Sequence, residues 1–143
     1  MDASVVIRRT IAAPAGATWA AVRAIDGLDR WFPVISSCRV DGIGVGALRV
    51  LGLEGGGELH DRVEEIDDEA RRFRYLRIEH PFPVTRYVGT VEVQAVGAAR
   101  AEVTWTIDVE VEASAWTELS KFLFGAITDG LAGLAAEMER VPA

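Results

Sequence analysis

From Glu102 to Glu112 the chain alternates without a break, with Val103, Trp105, Ile107, Val109 and Val111 on one face and Glu102, Thr104, Thr106, Asp108 and Glu110 on the other. That is the pattern of an antiparallel strand with one wet face. Immediately afterwards the period changes. From Ser114, a candidate N-cap, to about Glu139, residues Trp116, Leu119, Leu123, Ile127, Leu131, Leu134 and Met138 form one stripe of a long helix. Upstream lie an opening strand, Ser4 to Ile11, and a helix begun by Pro14 that carries Trp19, Val22 and Ile25 and ends at Asp26-Gly27. A short second helix, Leu28 to Phe32, is closed by Pro33. Five strands then follow at Ser37 to Asp41, Ala47 to Leu53, Glu58 to Ile66, Arg72 to Glu79 and Arg86 to Val96. Strands that lack helical crossovers between them cannot build a doubly wound parallel sheet. The order specifies an α+β fold in which a curved antiparallel sheet of about seven strands wraps a long C-terminal helix, as a single domain over residues 1–143.

Other chemistries are poorly served by this chain. Acidic residues outnumber basic ones, 22 to 15, and the net charge of -7 argues against nucleic acid as a partner. No apolar run reads as long enough to cross a bilayer, so no integral membrane association is expected. Cys38 stands alone, in keeping with a cytoplasmic location, and reads as a small buried hydrophobe. Two histidines and one cysteine, far apart in the chain, offer no metal cluster, and no cofactor is expected. Gly42-Ile43-Gly44-Val45-Gly46 resembles a dinucleotide loop, but a strand follows it, so it reads as a hairpin turn. No Gly-x-Ser-x-Gly elbow is present.

Five polar side chains stand out against this background. Arg49, Asp61, Tyr75, Arg77 and Tyr87 fall on strand rows that are otherwise apolar. Asp61 lies between Leu59 and Val63 at spacing two, so it points inward if they do. An unpaired charge in a core is costly. These groups therefore either pair with one another or line a cavity.

The chain resembles the START-like helix-grip (SRPBCC) superfamily, and in particular its bacterial polyketide cyclase/dehydrase branch. The resemblance is carried by Ala13-Pro14-Ala15-Gly16-Ala17-Thr18-Trp19, by Gly27-Leu28-Asp29-Arg30-Trp31-Phe32-Pro33, by Ile66-Asp67-Asp68-Glu69 and by Leu131-Ala132-Gly133-Leu134. It implies a deep cavity between sheet and terminal helix that takes lipids, sterols, polyketides or plant hormones. A more distant similarity is to the plant abscisic acid receptors, with Leu53-Glu54-Gly55-Gly56-Gly57 at their gate and His80-Pro81-Phe82 at their latch. Three successive glycines suit a mobile lid. The receptors' anchoring lysine falls at Phe32, and the gate lacks their leucine-proline pair, which argues against abscisic acid as the ligand. Asp61 falls where those receptors carry an inward glutamate, and Tyr87 matches a pocket tyrosine.

In that register the cavity is expected to be lined by Leu51, Leu53, Leu59, Phe73, Tyr75, Arg77 and Tyr87 from the sheet. Phe122, Ala126 and Gly130 form its helix side, Trp31 and Phe32 close one end, and His80 and Phe82 belong to the lid. Two functions fit. One is a carrier or sensor of a small hydrophobic ligand such as a lipid, polyketide or isoprenoid. The other is a polyketide cyclase or dehydratase in which Asp61 takes a proton while Arg49, Arg77 or a tyrosine stabilises the enolate. Asp61 with Arg49 or Arg77 also reads as a structural ion pair, and such a pairing would make Asp61 a poor base. Trp116 and Phe124 are candidates for a homodimer contact.

Overall fold

The computed structural model describes residues 1–140. Seven strands form one antiparallel sheet: β1 (Asp2–Ile11), β2 (Ile35–Asp41), β3 (Leu48–Leu53), β4 (Glu58–Asp67), β5 (Arg72–Glu79), β6 (Val84–Ala95) and β7 (Ala101–Val111). Their order is β1-β7-β6-β5-β4-β3-β2, so every neighbour except β1 is also the neighbour in sequence. Helices α1 (Ala15–Arg23) and α2 (Leu28–Trp31) fill the link from β1 to β2, and α3 (Ala113–Arg140) closes the chain. This is the α+β helix-grip architecture that the alternation and the change of period specify.

The sheet's inner row and the α3 stripe meet in one core. Val103, Trp105, Ile107, Val109 and Val111 of β7 are buried, as are Leu119, Leu123, Ile127, Leu131 and Leu134 of α3. By length and composition α3 could cross a bilayer, contrary to the sequence expectation, but this stripe is spent on the sheet, as in a core helix. Trp116 is half-buried against the core, while Phe124 is exposed. Ser114 lies within the first turn of α3 and is not its N-cap.

The sequence marks of the resemblance prove to be fasteners. Trp19 Nε1 and Arg23 Nε both donate to Asp68 Oδ1, at 2.9 and 2.6 Å, tying α1 to the β4–β5 turn. Trp31 Nε1 and Arg30 Nε donate to opposite oxygens of Glu137, at 2.9 and 2.5 Å, tying α2 to α3. A Cβ on Gly133 would lie 2.1 Å from the Trp31 carbonyl oxygen, so only glycine allows the two helices this approach.

Candidate functional site

Register brings the inward polar residues together. Asp61 on β4 lies directly opposite Arg49 on β3 and Arg77 on β5. Cross-strand partners are close enough for their side chains to pair. Arg49 Nε and Nη2 donate to Asp61 Oδ2 at 3.2 and 3.0 Å, while Arg77 Nε donates to Oδ1 at 2.7 Å and its Nη2 to Oδ2 at 3.2 Å. The third arm of Arg49, Nη1, donates to the Ile25 carbonyl at 2.9 Å. Ile25 holds that carbonyl in place from a left-handed backbone, φ 72°, a conformation that costs a β-branched residue about 1–3 kcal/mol.

Aromatic rings interleave with the guanidiniums. Arg49 lies 5.5 Å from the Phe73 ring centroid and 4.8 Å from that of Tyr75, and Arg77 lies 5.3 Å from Tyr75 and 4.6 Å from Tyr87. The π-faces partly replace the water these cations have lost. Gly89 faces Tyr75 across the β5–β6 ladder and makes this stack feasible, because a Cβ there would fall 2.0 Å from the phenol ring. The Tyr75 hydroxyl accepts from Trp105 Nε1 at 3.3 Å.

Electrostatics follow from that packing. Burial alone would push the Asp61 carboxyl up, but the guanidiniums of Arg77 and Arg49 overcome it and hold the group below the ordinary 3.8. Asp61 is therefore an ionised, doubly paired carboxylate. Burial drives both tyrosine hydroxyls well above 10. Burial, followed by the field of Arg77, pushes His80 down towards its neutral form.

Beside this cluster, between the sheet and α3, lies a cavity of about 40 Å³, measured as the space open to the centre of a water molecule. That is room for about two or three waters, and it is much tighter than the deep cavity expected. Its walls hold Phe32, Leu53, Leu59, Tyr75, Arg77, Phe82, Tyr87, Phe122 and Ala126, all among the expected lining residues. The others fall elsewhere. Leu51 is sealed in the core, and Trp31, Arg49 and Phe73 surround a separate crevice beneath α1 and α2. Gly130 leaves space, but the Phe32 ring fills it. His80 stacks on Phe82 and lies tilted against Tyr87, beside an open groove at the tip of β5. Leu28, Val34, Ile35, Leu123 and Ile127 line the cavity unforeseen, as does Trp105, whose place on a core row left its contact open. Helical spacing of Leu123 and Ile127 beside Phe122 and Ala126 was the available signal. Phe82 stacks on Tyr87 and meets Phe122 at a tilt, 5.7 Å from each, closing the mouth.

A family model described as "Polyketide cyclase / dehydrase and lipid transport" matches residues 2–139. The chain belongs to that family. Similar solved structures share the fold. A protein from Thermobifida fusca shares 30% identity with a TM-score of 0.85, covering 96% of this chain and 93% of its own. An uncharacterized protein from Bacillus thuringiensis shares 25% identity with a TM-score of 0.84, covering 95% and 98%. Norcoclaurine synthase from Thalictrum flavum, solved with dopamine and hydroxybenzaldehyde, shares the fold at 17% identity, with a TM-score of 0.82 and coverage of 100% and 90%. A search of curated protein sequences finds no match.

Proposed function

We propose that this polyketide cyclase/dehydrase family member is a carrier or sensor that binds a small hydrophobic molecule, such as a lipid, polyketide or isoprenoid, between its sheet and α3. The cavity supports this reading. Its wall is almost wholly apolar and aromatic, with Arg77 and the tyrosines as its polar points, a composition suited to a greasy ligand with one polar function. Entry requires the Phe82–Phe122 contact to part, because the closed cavity is too small for such a ligand. The Gly55–Gly57 hairpin, with all three glycines at positive φ, and the His80–Phe82 segment meet at an open groove lined by Gly56, Gly57, His80 and Pro81, and together would act as the lid.

The deciding observation between binding and catalysis is the state of Asp61. Both of its oxygens are engaged by guanidiniums, and it does not line the cavity. A carboxylate so paired is a weak base, and the geometry offers it no path to a substrate carbon. The cyclase or dehydratase reading with Asp61 as base is therefore the less favoured. Native mass spectrometry of the purified chain, alone and with extracted lipids and polyketides, tests the proposal. Retention of an added small molecule is the expected result. Turnover of a polyketide that disappears in Arg77-intact, folded Asp61→Asn protein would instead favour catalysis.

A further inference from the structure

Only one guanidinium nitrogen of the Arg49–Asp61–Arg77 cluster is left without an acceptor among the described residues. Arg49 uses Nε, Nη1 and Nη2, and both Asp61 oxygens accept. Arg77 spends Nε and Nη2 on Asp61, and its Nη1 meets no acceptor among the described residues. The Tyr87 hydroxyl likewise has no partner among the described residues, although the residue is only 1% exposed. No fully enclosed side-chain nitrogen or oxygen among the described residues lacks a partner, so both groups must border open space. The space that both residues line is the cavity.

Charge points the same way. Two guanidiniums against one carboxylate leave the cluster beside the cavity with one net positive charge. Arg77 is the sole charged residue among those described that line the cavity. Desolvating a cation is costly, and here that cost is already met by Asp61 and the rings of Tyr75 and Tyr87. An incoming anion would therefore meet a positioned, dehydrated donor, and an incoming cation would meet repulsion.

We propose that the ligand is a hydrophobic monocarboxylate. Its carboxylate accepts from Arg77 Nη1, with the Tyr87 hydroxyl as a second donor, and its apolar body lies among Phe32, Leu59, Trp105, Leu123 and Ile127. This rests on the binding function proposed above and specifies the chemistry of its head group. A charged acceptor in so dry a site should outcompete a neutral one of the same shape by about tenfold or more.

Calorimetric titration of the full chain at pH 7.5 with three acid/amide pairs tests this: 4-butylbenzoate, 2-naphthoate and decanoate, each against its primary amide. At least one acid should bind about tenfold or more tighter than its amide, and decylammonium should not bind. Arg77→Gln should abolish the difference. Tyr87→Phe, which keeps the ion cluster intact, should shrink it several-fold, and this comparison stands even if Arg77→Gln does not fold. Amides that bind as tightly as acids would overturn the carboxylate assignment and leave hydrophobic binding standing. Failure of every acid and amide to bind would overturn both.

Discussion

Asp61 holds two buried guanidiniums apart and is worth most where it cannot be replaced by half. Asp61→Asn keeps the shape but leaves like charges facing one another on β3 and β5, and urea unfolding should show a loss of about 3–5 kcal/mol. The same residue gives the fold an acid limit. Its folded-state pKa lies below the ordinary 3.8, so its stabilisation is full above that value and is lost as pH falls further. Melting temperature followed from pH 6 down to pH 2 should fall more steeply for the native chain than for Asp61→Asn. Strand alternation puts Asp61, Arg77 and Tyr87 on apolar rows, the resemblance supports the inward placement of Asp61 and Tyr87, and all three are buried. Which guanidinium meets which oxygen was not legible, because pairing depends on cross-strand register. A bulge in β5 at Ile78, opposite the His60–Asp61 step, and a bulge in β4 at Glu64 set that register and leave no mark in the alternation around Asp61.

Helix α3 shows how glycines of one element can have opposite energetics. Gly133 is where α2 presses its backbone against the helix, and Gly125 faces open space. Gly133→Ala should destabilise the chain by about 1–3 kcal/mol through forced separation of the helices. Gly125→Ala should stabilise it by about 0.5–1 kcal/mol through helix propensity alone. Thermal unfolding of the two variants checks the sign. The helix and its buried stripe were readable from the period in sequence. The use of its small residues was not: the spacing of Ala126 and Gly130 suggested ligand space, and Phe32 occupies the second of these sites. A side chain arriving from α2 is a tertiary event that no periodicity in α3 records.

At the scale of the whole molecule, the order of elements determined the architecture, since a meander of strands followed by one amphipathic helix has few other ways to bury both apolar faces. The size of the cavity was not determined in this way, because it depends on how Phe82, Phe122 and Phe32 settle. Phe122 is 45% exposed, so its removal sacrifices little core. Phe122→Ala should leave the melting temperature nearly unchanged while raising the association rate of a ligand several-fold in stopped-flow measurements, if opening of the mouth limits entry. The stack of rings and guanidiniums has one more consequence. Tyr75 and Tyr87 are the only tyrosines in the chain, and both stand in the cavity wall. Phenolate absorbance therefore reports on that wall and nothing else. With both hydroxyls held above 10 by burial, their contribution to stability is full below that pH and declines above it, so an alkaline titration should show no tyrosine ionising until the fold itself gives way. A ligand seated against Tyr87 would delay that transition, giving a label-free optical signal of occupancy.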